Sequence, residues 1–260
     1  MRLLFFSDNF PPEVNAAASR VFERACYWAK QGHEVTFVTC APNFPVGKIF
    51  PGYKNKWYQV EEINGIRVVR VKTFIAQNKG VFLRTLDFIS YFFSSLIAAC
   101  FLKKPDIVIA TSPQFFAGLA GCVYAKFRKT PFVLEVSDLW PASVTAVGVM
   151  QRNVLIRFLE KFELYMYKSA KRIVALTTHI KNDLVKRNVP SDKIMTIING
   201  VDIARYSPLE ADILLIEKYD LKNKFVVAYI GTHGLAQKLE NVIQAAKILR
   251  ENKEIVFLFV

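Results

Sequence analysis

An α/β protein built on a parallel sheet is the fold class this 260-residue sequence predicts. Short apolar runs rich in Val and Ile recur along the chain, as strands covered on both faces require. Longer helical patterns separate those runs, which is how a succession of βα units reads in sequence. With 52% hydrophobic residues the chain can fill a substantial core, either in one large domain or in two modest ones, and disorder is excluded.

Arg2 to Phe6 reads as the first strand and Ala17 to Gln31 as the first helix, stopped by Gly32. "EVTFVT" (34–39) is the next strand, and "IRVVRVK" (66–72) follows the turn dipeptide Asn64-Gly65. A long apolar helix over 81–102 leads to strand "DIVIAT" (106–111), helix Phe115 to Phe127 and strand "FVLEV" (132–136). Helix 151–169, strand "RIVALT" (172–177), helix 178–188 and "KIMTIIN" (193–199) continue the alternation. From Asp202 to Lys224 the pattern loosens into a connector that still holds "ILLIEKY". A new βαβ unit then begins with "FVVAYIG" (225–231), helix Leu239 to Asn252 and "IVFLFV" (255–260). Strands of a lone βαβ unit need neighbours, so the sequence reads as cut short at Val260.

Lys and Arg number 35 against 22 Asp and Glu, a formal charge of +13 that suits nucleic acid, anionic lipid or phosphorylated substrates. Nucleic acid is the weakest of the three: no binding-module signature is present, and the aromatics cluster in apolar runs. The four cysteines, at 26, 40, 100 and 122, have no CxxC spacing. They read as buried thiols in a reducing cytosol, with neither disulfide nor zinc expected. "MRLLFFSDNF" does not match a signal peptide, because Asp8 and a proline pair interrupt the apolar run. Arg84 and Asp87 break the apolar stretch over 81–102, leaving Phe88 to Leu102 too short to span a bilayer. That helix is either buried against the sheet or rests a partly exposed apolar face on a membrane, with Lys103 and Lys104 at its edge.

Candidate chemistry falls on loops that follow strands, where open α/β sheets bind ligands. Neither G-x-G-x-x-G nor G-x-x-x-x-G-K-[ST] occurs after the first strand. What stands there is "PPEVNAAAS", in which Asn15, Ala16 and Ala17 open a helix whose N–H groups and dipole suit an anion. Plain helix initiation with Asn15 as cap fits the same residues. In "EVSDLWPASVTAVG" (135–148), Asp138 is either a polar group or general base over a sugar, or a carboxylate closing a turn. The loop in "AYIGTHGLAQKLENV" (228–242) brings Gly231, Thr232, His233 and Lys238 near a helix start, as a diphosphate site needs. A solvated glycine loop is the alternative there. The three histidines, at 33, 179 and 233, share no metal-ligand spacing.

Taken in order, the "PPE" loop, "QGHEVTFVT", "KPDIVIAT", "SDLWPASV", "INGVDIARYSP" and "YIGTHGLAQKLENV" resemble glycosyltransferase family 4, nearest the fucosamine-transferase-like and colanic-acid-type enzymes of bacterial surface polysaccharide synthesis. The resemblance implies a GT-B architecture of two Rossmann-like domains facing a cleft. Residues 1–207 would be the acceptor-binding domain, 208–224 a linker and 225–260 an incomplete nucleotide-sugar domain. It implies a retaining transferase without a metal cofactor, taking a UDP-sugar donor and a lipid-linked or growing saccharide acceptor. Such an enzyme would be cytoplasmic, peripheral at an anionic inner membrane face. Asn15 to Ala17 would face the diphosphate, Asp138 the transferred sugar or acceptor hydroxyl, and Gly231, Thr232, His233 and Lys238 the phosphates. Alanines 16 and 17 stand where many relatives have glycines, and Thr232 where they commonly have Arg. The family's E-x7-E segment would lie beyond Val260, so this polypeptide alone would not transfer sugar unless a second chain completes the donor domain. The rival reading is a non-catalytic binding or assembly half of a split enzyme, or a truncated remnant. A nucleotide-sugar epimerase is disfavoured for want of a dinucleotide fingerprint.

Overall fold

The computed structural model describes all residues except 76–80, 113, 144–152, 202, 204–205 and 235–236. They form two compact units, Met1–Gly200 and Val201–Val260.

The first unit is an eight-stranded sheet, β1 (Arg2–Phe6), β2 (Glu34–Cys40), β3 (Tyr58–Ile63), β4 (Ile66–Val71), β5 (Ile107–Ser112), β6 (Phe132–Val136), β7 (Arg172–Ala175) and β8 (Ile194–Thr196). Its spatial order is β3-β4-β2-β1-β5-β6-β7-β8, parallel except for the β3–β4 hairpin. Asn64 and Gly65 turn that hairpin, both at positive φ. Sequence reading found this turn but not its first strand. Tyr58 and Val60 are exposed on β3, so the strand carries no apolar run to betray it.

Successive β1 side chains point to opposite faces and meet two separate cores. Leu4 and Phe6 join the core under α2 (Val81–Cys100), α3 (Phe115–Arg128), α4 (Val154–Ser169) and α5 (Thr178–Lys186). Leu3 and Phe5 join the core under α1 (Ala16–Lys30), where Phe5 stacks on Phe37 at a centroid distance of 4.6 Å. Helix α3 lies close on the sheet because Gly121 has no side chain: a Cβ there would sit 2.9 Å from that of Ala110. Residues 151–152 of the expected helix over 151–169 lie outside the described set, and α4 begins behind an Asn153 cap that accepts from the Ile156 N–H at 3.0 Å. Buried Glu163 of α4 accepts from the Tyr167 hydroxyl at 2.6 Å and from Arg187 at 3.0 Å.

Helix α2 packs on α3, β2 and β4, burying Tyr91, Ser95, Ala98 and Ala99 while its outer side faces solvent. Cys100 lies on that outer side and is exposed, and Cys26 is only partly buried; the buried thiols are Cys40 and Cys122.

In the second unit, β9 (Phe225–Tyr229), α7 (Glu240–Ile248) and β10 (Ile255–Phe259) form a parallel βαβ unit. The expected connector is not featureless: α6 (Ile213–Lys218) starts at Asp212, whose carboxylate accepts from Leu214 N at 2.9 Å. None of the described residues of this unit is buried, because two strands and a short helix cannot enclose a core.

Candidate functional site

The chain leaves β1 for β2 on one side and later returns as β5 on the other, so the loops after β1 and β5 part at a switch point. Gln114, just past β5, ties them: its Oε1 accepts from Ser7 Oγ and from the Asp8 N–H, each at 3.1 Å.

The proline-rich loop is held from three directions. Buried Glu13 folds back to accept the N–H groups of Asn43 and Phe44 at 2.7 and 2.8 Å. Buried Arg70 of β4 donates to the Pro11 carbonyl at 2.6 Å and the Cys40 carbonyl at 2.9 Å, and pairs with Glu61. Asn15 closes the loop as the cap of α1, its Oδ1 accepting from the Ala18 N–H at 2.8 Å. The capping reading is therefore realised in the geometry. Ala16 and Ala17 are the first two helical residues, whose N–H groups face out of the helix end without intrahelical acceptors. Asn15 Nδ2 donates to Asn9 Oδ1 at 2.8 Å, and Asn9 Nδ2 to Asp8 Oδ1 at 2.6 Å, a side-chain relay running from the cap to the end of β1. Burial pushes the Asp8 carboxyl up to about 7, helped by the charges of Glu13 and Asp87 and opposed by the Asn9 hydrogen bond. Asp87 of α2 rises to about 6, again through burial.

The loop after β6 stands on the same rim. Ser112 Oγ donates to the Asp138 carbonyl at 3.2 Å, and Ser137 Oγ donates to the Ser112 carbonyl. The Asp138 side chain is exposed, beside Trp140, whose ring lies 4.8 Å from that of Phe115. Sequence reading missed Arg20 here. From the second turn of α1 it crosses the sheet to donate to Ser137 Oγ at 3.0 Å and Thr111 Oγ1 at 3.3 Å. One turn later Arg24 pairs with buried Glu135 of β6 at 2.5 Å. The available signal was Glu135 itself, a lone charge in an apolar strand that must find a partner. Burial lowers the Arg20 pKa and raises that of Glu135, against the pull of Arg24. The rim of the first unit thus offers a helix N-terminus, a guanidinium, an open carboxylate and a carboxyl that titrates near neutrality. No group of His, Cys, Asp and Glu able to hold a metal occurs among the described residues.

In the second unit the β9–α7 loop carries the other expected residues. Gly231, at φ +150°, adopts a backbone that side chains disfavour, and its N–H donates to the Val260 carbonyl at 3.0 Å. The Tyr229 hydroxyl donates to the Thr232 carbonyl at 2.9 Å, while the His233 ring lies 5.7 Å from Tyr229 and 6.2 Å from Phe259. Lys238 sits just before α7 with φ +45°. Thr232, His233 and Lys238 are all exposed, and among the described residues no hydrogen bond or ring contact joins His233 to Lys238.

The profile of Glycosyltransferase Family 4 matches residues 17–205. WcaI of Escherichia coli strain K12, named for glycosyl transfer in colanic acid biosynthesis, is 25% identical over 259 residues. That match covers 96% of this chain, which spans 63% of the length of WcaI. Among solved structures, Anabaena Alr3699/HepE, in complex with UDP-glucose, superposes with a TM-score of 0.60 at 12% identity, over 100% of this chain and 69% of its own. A UDP-N-acetylglucosamine 2-epimerase from Rickettsia bellii shares the fold at TM-score 0.50 and 13% identity, over 100% of this chain and 61% of its own. The family profile spans most of the larger unit, from the second residue of α1 onward: this chain belongs to glycosyltransferase family 4.

Proposed function

We propose that the whole protein is a retaining glycosyltransferase that moves a sugar from a UDP-sugar to a lipid-linked or growing saccharide in surface polysaccharide synthesis. The observation that carries this reading is the switch-point rim, which gathers α1's N-terminus, Arg20 and Asp138, the last two within the family-matched residues 17–205. In transfer, the bond from the anomeric carbon to the diphosphate oxygen breaks, a bond to an acceptor oxygen forms, and the acceptor hydroxyl gives up its proton. The leaving diphosphate needs positive charge, which helix ends and basic side chains can supply without a metal. In the first unit the N–H groups of Ala16 and Ala17, set by the Asn15 cap, offer it. In the second unit the loop from Gly231 to Lys238, with Thr232 and His233, offers hydroxyl, imidazole and ammonium. Asp138, open to solvent beside an aromatic wall, takes the transferred sugar or the acceptor hydroxyl. HepE's complex with UDP-glucose supports a uridine donor, and the name of WcaI supports a polysaccharide product.

The site of action is cytoplasmic, peripheral at the inner face of the plasma membrane. The competing reading is an assembly subunit with no chemistry of its own. Incubation of the whole protein with membranes and a panel of labelled UDP- and GDP-sugars decides between them. Label passing to a lipid or saccharide fraction only from a UDP-sugar supports the proposal. Release of neither nucleotide, with donor-binding partners captured instead, favours the subunit.

A further inference from the structure

We infer that the outer face of the α2–α3 layer is a docking surface for an anionic membrane. This gives a surface to the peripheral placement proposed above, and lipid binding reads it without any sugar transfer.

The 18-residue window Leu83–Cys100 has a mean hydropathy of 1.2, yet only 22% of it is buried. A helix that apolar within a water-soluble layer would turn most of its residues inward. Here Phe93, Ile97 and Phe101 follow one another on successive turns, 59, 62 and 79% exposed. Helix α3 lies alongside, with Phe88 and Phe116 stacked at 6.4 Å, and continues the surface with Val123 and with Phe127, which is 71% exposed. Scattered apolar residues need no partner, but two adjacent helices lined this way form a patch that does.

Charge identifies the partner. Both helices end in cations: Lys103 and Lys104 follow α2, while Lys126, Arg128 and Lys129 close α3. No acid lies in α3, Asp87 is the one acid in α2, and nearby Asp106 already pairs with Arg2. None of the five cations forms an ion pair among the described residues. An apolar stripe ending in uncompensated Lys and Arg is what an interfacial helix offers to acyl chains and anionic headgroups. Crossover helices run antiparallel to the parallel strands, so this cationic end lies at the sheet edge opposite the β1–α1 loop. Docking therefore leaves the candidate site uncovered.

The test is co-sedimentation of the full chain with vesicles of phosphatidylcholine, alone or with about 30% phosphatidylglycerol, at low salt and at about 0.5 M salt. Recovery is expected only with the anionic vesicles, and it should fall at high salt. Lys103→Gln/Lys104→Gln/Lys129→Gln should weaken it about a hundredfold, at roughly fivefold per cation. Phe93→Ser/Phe101→Ser should weaken it as well, with circular dichroism unchanged. Equal recovery on uncharged vesicles, or wild-type recovery by the lysine variant, overturns the inference. So does a wild-type dimer that Phe93→Ser/Phe101→Ser converts to a monomer, because the face would then join two copies.

Discussion

Replacing Glu13 tests how the loop after β1 is built. Its Oε1 takes both the Asn43 and Phe44 N–H groups, while Oε2 is buried with no hydrogen-bond partner among the described residues. Glu13→Ala takes the acceptor from two part-buried donors, at about 0.5–1.5 kcal/mol each, a loss of about 1–3 kcal/mol. That is a large share of a domain stability of about 5–15 kcal/mol. Glu13→Gln keeps one oxygen in place and puts its amide where the carboxylate oxygen already lacked a partner, so the cost should stay within about 1 kcal/mol. Burial raises the Glu13 pKa above its ordinary value. The unfolded chain therefore releases this proton first, and the carboxyl's contribution to stability falls as pH rises toward the folded value. Glutamine does not titrate, so the glutamine variant should gain on wild type as pH rises above the ordinary glutamate value of 4.5. Urea unfolding of the three proteins across that rise in pH measures both effects. An alanine variant within about 0.5 kcal/mol of wild type, or a glutamine variant as costly as alanine, would refute the clamp.

Four further outcomes follow from the same geometry. Gly121→Ala forces a Cβ to 2.9 Å from that of Ala110 and should destabilise by about 1–3 kcal/mol in denaturant melts. Asp8, raised from 3.8 to about 7, should lose stability as pH rises between those values, by up to about 4 kcal/mol at about 1.4 per unit. Asp8→Asn should flatten that slope, and infrared titration of the carboxyl checks the midpoint. In the whole protein, Asp138→Ala should leave the melting curve unchanged and cut kcat about 100-fold or more; near-normal turnover returns Asp138 to a turn-closing role. Lys238→Ala should raise the donor's KM with little change in kcat, read from initial rates at varied donor.

Strands buried on both faces were the most legible part of the fold. Arg2 to Phe6 and Phe132 to Val136 carry almost only apolar side chains, and the structure gives those strands the expected limits. The hairpin strand Tyr58–Ile63 escaped because it pairs on one edge and leaves Tyr58 and Val60 in water. The Asn15 cap was legible because capping is local. The Arg20 contacts to Thr111 and Ser137 were not, since they join residues 91 and 117 positions apart. No periodicity carries such a meeting; only the strand order does, by setting β5 beside β1 and β6 next to β5. Cys100 was misjudged for a related reason: a cysteine's residue type favours burial, but its place on α2 puts it on the outward side.

The most direct test of sugar transfer follows the fate of the anomeric carbon. The whole protein is incubated with a UDP-sugar labelled at that carbon, together with membranes carrying acceptor, and the products are resolved by chromatography and NMR. Label bound to lipid or saccharide with its configuration kept, matched by an equal amount of released UDP, is the expected result. Label returning as a free nucleotide-sugar epimer without any acceptor, or remaining wholly in the donor, would contradict it.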